Sequence, residues 1–334
     1  MGLHTNHVQT RSIAYLFKLN HHPRQVPFMG FRGKYQNKMK RHFLISYILS
    51  AFLALVAVSC NKESAPDTPR QAVRFNAAAA NVALPDSRGT RASDASWTLN
   101  DRVGIRMFNP QGNTVNGYEN RPYVVTDAAK GTFAPAAEDM YYPVDGSKVG
   151  FTAYYPYREG VTDSYAIDIK DQSNPAAIDL LYVKTAVDYT KENTSVPLAF
   201  NHQLSKFIIK TSVGNGITSL AGMSVTISGM PTTAAFNLHS GVSDTPANIA
   251  DIFPVTVTDG ALYHAIVIPG KDIANVTVDF KVGNETFTWQ PNALTFEPGK
   301  SYIWEVTVGR TAVTVVGSDI KDWITVELGT GISN

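Results

Sequence analysis

The 334-residue sequence contains a single cysteine, Cys60. With no second thiol the chain can form neither an internal disulfide nor a Cys-x-x-Cys zinc site, so any folded domain must be held by apolar burial. Acidic residues are absent from the first 59 positions, which hold eight of the 29 Lys+Arg. Beyond them 21 Lys+Arg face 28 Asp+Glu, a formal charge of −7, and no basic patch of the kind that binds nucleic acid is present. No apolar run reaches the roughly 20 residues of a membrane-spanning helix. Past the linker, no window of a dozen residues carries the i, i+3, i+4, i+7 stripe of an amphipathic helix, and 178–183 could form one helical turn at most.

Catalytic signatures are missing as well. There is no G-x-S-x-G, no H-E-x-x-H and no phosphate loop. Four of the eight histidines precede residue 39 and His42 follows it closely. His202 reads as a structural or surface imidazole, and His239 and His264 have no carboxylate or cysteine at ligand spacing. Glu138-Asp139 and Asp319/Asp322 read as turn acids. No enzyme, cofactor or metal is expected.

What is present begins with 39–60, MKRHFLISYILSAFLALVAVSC. A basic start, sixteen uncharged residues over 43–58 and small residues at the end describe an export signal rather than a permanent anchor. The ending Ala57-Val58-Ser59-Cys60 resembles the bacterial lipoprotein signal, with alanine where leucine usually stands three places before the cysteine. That resemblance implies a diacylglyceryl thioether on Cys60 together with an N-acyl chain, which would hold the protein durably on a membrane. Residues 1–38 are then a leader upstream of a start at Met39, 39–59 the signal, and 60–71 a polar linker with Pro66 and Pro69.

The rest reads as β-structure. The 72–84 segment is strand-like but weak, with Val73, Phe75 and the alanines 77–80, and a turn-rich stretch with Arg88 and Arg91 follows. Short β-prone runs then recur at 97–99, 103–108, 123–125, 140–142, 149–155 and 165–169, and again at 207–210, 223–227, 263–268, 276–280, 286–289, 302–308 and 313–315. Val276, Val278 and Phe280 alternate with Thr277 and Asp279, the pattern of one buried and one wet face. The expectation is an all-β protein of two β-sandwiches, 72–200 and 201–334. The tyrosines 141, 142, 154, 155 and 157 invite a glycan-stacking reading, that of a monomeric surface glycan-binding lipoprotein, but core packing accounts for them better.

Eight pieces in order, spread over roughly 88–325, resemble the fimbrillin, or Mfa-like, family of type V pilus lipoproteins. They are Gly89-Thr90-Arg91-Ala92 before Trp97, Asn100-Asp101-Arg102-Val103-Gly104-Ile105, Tyr142-Pro143-Val144-Asp145-Gly146 and Phe151-Thr152-Ala153-Tyr154-Tyr155-Pro156-Tyr157. Asp179-Leu180-Leu181-Tyr182, Phe200-Asn201-His202-Gln203-Leu204-Ser205-Lys206, Phe296-Glu297-Pro298-Gly299-Lys300-Ser301-Tyr302 and Ile320-Lys321-Asp322-Trp323 complete the set.

The resemblance implies two transthyretin-like Greek-key sandwiches and a role in building or decorating surface fimbriae in adhesion. It further implies partners: other fimbrial subunits, an arginine-specific protease, and the outer membrane through the lipid. The protease would cut after Arg91, or second after Arg88, so that the first strand leaves. A neighbour's C-terminal segment, here 311–328 with Val313, Val315, Ile320 and Trp323, would take its place. Shaft, basal anchor and tip subunit all remain open.

Overall fold

The structure, a computed structural model, describes residues 70–77, 97–270, 275–293 and 295–323. Cys60, Arg88, Arg91, the 39–59 signal and the alanines 78–80 lie outside the described residues. The chain is nearly all β, with one helical turn, α1 (Pro175–Ile178), among the described residues.

The first half builds an eight-stranded sheet. In chain order its strands are β1 (Phe75–Ala77), β2 (Arg102–Phe108), β3 (Arg121–Asp127), β4 (Thr132–Pro135), β5 (Gly150–Tyr155), then, after β6 (Ser164–Asp168), β7 (Leu181–Lys184), β8 (Val196–Leu198) and β9 (Asn201–His202). In space the order is β8-β1-β4-β3-β2-β5-β7-β9. Val103, Ile105, Met107, Phe151, Ala153, Leu181 and Val183 all enter one apolar core, as does Trp97.

The pleat explains why the central strands β2, β5 and β7 have at most one exposed position each. Successive side chains of a strand point to opposite faces. Phe151 and Ala153 enter the first core while Tyr154 enters a second, and Tyr182 does the same between Leu181 and Val183. Both faces are therefore covered, and β5 has burial at five consecutive residues. The same argument explains why 178–183, which could form one helical turn at most, is largely extended. Pro175, whose ring pre-sets a helical φ, opens α1 three residues before Ile178, and Leu181–Lys184 extends because its side chains serve two cores.

The second core lies between two further sheets. One has the order β14 (Val255–Thr258), β15 (Leu262–Val267), β10 (Ser205–Val213), β18 (Lys300–Val308), β19 (Val313–Asp322). The other is built on β11 (Ser224–Asn237), with β12 (Val242–Ser243) and β13 (Ala247–Ile252) on it and β16 (Thr277–Val282) leading to β17 (Glu285–Trp289). Val276, Val278 and Phe280 are buried and Thr277 and Asp279 half-buried, as the alternation requires.

Strand β6 does not pair with its own half of the sequence. Ser164–Asp168 lies antiparallel on β11, with Tyr165 opposite Phe236 and Ile167 opposite Ala234. Tyr165, Ile167 and Ile169 thus belong to the second core, although they precede residue 200. Arg158 places its guanidinium 4.1 Å from the centre of the Tyr165 ring.

Two glycines are required where the halves meet. Gly104 packs under Tyr154, where an added Cβ would come 2.3 Å from the ring. Gly241 has φ +78 and leaves room for Tyr182, whose hydroxyl donates to the Leu238 carbonyl at 2.9 Å.

Because Ile167 is 3 % exposed, Ile167→Ala is expected to destabilise the protein by about 2–5 kcal/mol. Urea unfolding followed through the indoles of the second core (Trp289, Trp304, Trp323) would measure it. An unchanged midpoint would remove β6 from that core.

Candidate functional site

The candidate site is the seat of β1. Three residues are too few to hold a strand by pairing alone, so the neighbours carry the stability. β1 runs antiparallel to β4, with Phe75 opposite Phe133, and parallel to β8, with Phe75, Asn76 and Ala77 opposite Val196, Pro197 and Leu198. The hydrogen bonds extend beyond the strand. Val73 N–H donates to Met140 O at 2.7 Å, Ala77 N–H to Gly131 O at 2.8 Å, and Arg74 O accepts from Val196 N–H at 2.8 Å. Tyr142 N–H donates to Gln71 O at 3.0 Å.

Alternate side chains are buried. Val73, Phe75 and Ala77 are 0 %, 2 % and 4 % exposed. Phe75 is the anchor: its ring meets Tyr123 and Phe151 edge-on, each at 5.0 Å between centroids, the arrangement aromatic quadrupoles favour. Burial also pushes the Tyr123 hydroxyl up to about 12, so it stays neutral, and it accepts from the Met140 N–H at 3.3 Å. The intervening residues face outward to polar partners. Arg74 donates to Asp139 at 2.6 Å, and Asn76 accepts from Ser195 Oγ at 2.6 Å.

The other predicted residues lie at the far end of the chain. β19 is the edge strand beside β18, pairing antiparallel from Val308↔Val313 to Lys300↔Asp322 with an irregularity at Glu305/Val306. Val313 is half-buried, whereas Val315 and Ile320 are 38 % and 54 % exposed. Trp323 is different. It is buried, its ring stacked on His202 at 4.0 Å and 9°, with its backbone N–H donating to Gly299 O at 2.7 Å. His202 Nδ1 lies 3.0 Å from Asp179 Oδ1, and the Lys206 ammonium is 5.5 Å from the Trp323 ring. Lys300 pairs with Asp322 beside it.

Several motif pieces meet here. Ser205 Oγ donates to Glu297 O at 2.7 Å, Gly299 N–H to Leu204 O at 2.9 Å, and Glu297 N–H to Tyr302 Oη at 2.8 Å. Sequence pieces nearly a hundred residues apart thus build one seat for Trp323.

The tyrosines are packed. Tyr142 and Tyr154 are buried and Tyr141, Tyr155 and Tyr157 half-buried; Tyr154 Oη donates to Asn120 at 3.0 Å and Tyr155 contacts Trp97 edge-on. Burial pushes Tyr142 up to about 12.

A polar cluster between the halves has no counterpart in the motif reading. Arg106, 5 % exposed on β2, donates to Thr114 Oγ1 at 2.9 Å and to Gly112 O at 2.5 Å, and Thr114 donates to Glu119 at 2.5 Å. His239 Nε2 sits 3.1 Å from Asp163 Oδ1 without hydrogen-bond alignment, and Lys184 donates to His239 O at 2.8 Å. Burial, then Arg106, lowers the His239 imidazole below its ordinary range, only partly opposed by Asp163. Among the described residues no group of three or more His, Cys, Asp or Glu could hold a metal ion.

The chain is thus a nearly all-β protein of several sheets, the first of them bridged near one edge by the short leading strand β1. The chain belongs to the fimbrillin-like family, whose model matches residues 90–323. It is 31 % identical over 294 residues to a Bacteroides uniformis protein named as fimbrium subunit Fim1C, covering 83 % of this chain and 94 % of that one. A crystal structure of a B. uniformis protein described for cell adhesion superposes with a TM-score of 0.66 at 29 % identity, over 77 % of this chain and 99 % of that one. A cell-adhesion protein of Bacteroides ovatus shares the fold, with a TM-score of 0.62 at 22 % identity and cover of 77 % and 99 %.

Phe75→Ala is expected to cost about 3–5 kcal/mol in urea unfolding. Arg74→Ala, which removes only an exposed ion pair, is expected to cost about 0–1 kcal/mol. Equal losses would mean that the ring does not anchor the strand.

His239 gives a pH dependence whose sign follows from its lowered folded-state pKa. Protonation favours the unfolded chain, so this contribution to stability is complete above the ordinary imidazole range and is lost as pH falls through it. Thermal melts of His239→Asn are expected to lose less stability between about pH 7 and pH 5 than the parent. A parallel loss would contradict the assignment.

Proposed function

We propose that this protein is a structural or accessory subunit of surface fimbriae that supports adhesion, with no enzymatic activity of its own. It is exported as a lipoprotein, tethered through Cys60 to the outer membrane, and assembled by protease-triggered strand exchange. The observation that carries this reading is β1. β8 is joined to the sheet through β1 alone, and β1 precedes both candidate cleavage arginines, so one cut after Arg91 (or Arg88) frees it from the rest of the chain.

Loss of β1 would leave unpaired backbone groups on β4 and β8 beside an apolar slot lined by Tyr123, Phe133 and Phe151, a site an extended segment can fill. The donor would be a C-terminal segment of another subunit. In this chain that segment contains Val313, Val315, Ile320 and Trp323, and giving it away means peeling β19 from β18 and withdrawing Trp323 from His202. A head-to-tail joint of this kind repeats without closing and yields a filament. The shaft, anchor and tip roles differ in whether the cut and the donation both occur.

N-terminal sequencing of protein taken from assembled surface fibres tests the reading. An N-terminus at Ala92 is expected, with loss of the SDS-resistant ladder in Arg88→Ala/Arg91→Ala. Assembled protein that keeps an acylated Cys60 would exclude cleavage and leave an uncut anchor.

A further inference from the structure

The seat of β1 also states which strand can replace it. This inference rests on the strand-exchange reading and concerns the partner. Among the described residues the slot has three inward positions of different size. Val73 fills a medium one, Phe75 an aromatic one closed by the Tyr123 and Phe151 edges, and Ala77 a small one. Between the first two, Arg74 meets the Asp139 carboxylate at 2.6 Å. An occupant that matches the slot therefore reads medium apolar, basic, aromatic, polar, small.

The chain's own C-terminal segment does not read this way. Over 311–334, TAVTVVGSDIKDWITVELGTGISN, the only aromatic residue is Trp323. With Trp323 in the Phe75 position, Lys321 and Thr325 occupy the two flanking inward positions, so in either chain direction a lysine is buried. An unpaired charge placed in an apolar core is strongly unfavourable. In the direction of β1, Asp322 would also face Asp139, like charge against like. Two apolar frames without Trp323 avoid the charge and lose the ring. Val313/Val315/Gly317 and Ile324/Val326/Leu328 both put valine where Phe75 sits, leaving a void between Tyr123 and Phe151, and Leu328 then overfills the place of Ala77. Voids and overpacking in a close-packed core each destabilise.

We infer that the slot vacated by β1 accepts a donor strand from a different polypeptide, one carrying an aromatic residue flanked by a medium apolar residue two positions before it and a small one two positions after. The protein is then a receiver in a hetero-assembly rather than a self-stacking unit. The basic residue next to the aromatic, paired with Asp139, adds a charge criterion to the size criterion.

Peptide exchange on the nicked chain tests this. The full chain is cut by an arginine-specific protease after Arg88 or Arg91, or at a protease site substituted for 86–91 where those bonds resist. Three fluorescent peptides then compete for the slot: segment 71–79, the native tail 322–330, and that tail carrying T325R, V326F and L328A. Segment 71–79 and the retuned tail are expected to enter, with the native tail binding at least ten-fold more weakly. Native-tail binding equal to that of segment 71–79 overturns the hetero-assembly inference and leaves strand exchange standing. Failure of segment 71–79 itself to re-enter overturns strand exchange, and the inference falls with it.

Discussion

The structure of the first half depends on one side chain between two rings. Phe75 is held by the edges of Tyr123 and Phe151, and around that contact the backbone of 71–77 satisfies donors and acceptors on both sides. Buried peptide groups must find partners, so β4 and β8 cannot be left facing an empty slot without cost. Main-chain hydrogen bonding holds β1 in the sheet, and the pockets for its alternate side chains supply its address. That division of labour allows a strand of three residues to complete a sheet of eight.

Much of this was legible in the residues, and its limits have physical causes. The alternation in Val276/Val278/Phe280 and the β-branched and aromatic runs at 103–108, 149–155 and 302–308 are strands in the structure. The motif pieces are legible because each position has a strict requirement, local or distant. Asn100 takes φ +74 in a turn closed by Asp101 accepting from Thr98 N–H, and Gly104 is small because Tyr154 lies on it. The expected strand at 97–99 is absent: Trp97 is a core residue while Leu99 is 57 % exposed. The run 140–142 makes only the bridge Ala72↔Tyr141. β13, a mostly exposed strand beside Pro246, has no apolar alternation to mark it, and β14 is a four-residue Val-Thr alternation beside Pro254 that buries neither valine fully. Tyr165 and Ile167 do alternate, but nothing local names a partner strand some seventy residues away.

The candidate site was legible unevenly. Val73 and Phe75 stand out as apolar residues at strand spacing, yet only the pairing register shows that they sit between β4 and β8. Trp323 was visible as part of a motif, but not that it stacks on His202, since an imidazole in sequence carries no information about what covers its face. Arg106 gave no signal at all. Its neighbours Val103, Ile105 and Met107 mark one buried face of β2, while Arg106 on the opposite face meets Gly112 and Thr114 of a loop, with Asp163, Tyr182 and His239 from far along the chain in its electrostatic surroundings. The polar cluster there is an outcome of packing between distant segments, which periodicity does not record.

The placement of β6 has a consequence for how such chains diversify. A cassette that can be shuffled between proteins must carry all its own strands, and here the second half leaves one of its strands encoded in the first. Any exchange at residue 200 would separate Ser164–Asp168 from Thr233–Asn237 and strip the second core of Tyr165, Ile167 and Ile169. The second half therefore cannot keep its core if it is parted from the first at residue 200.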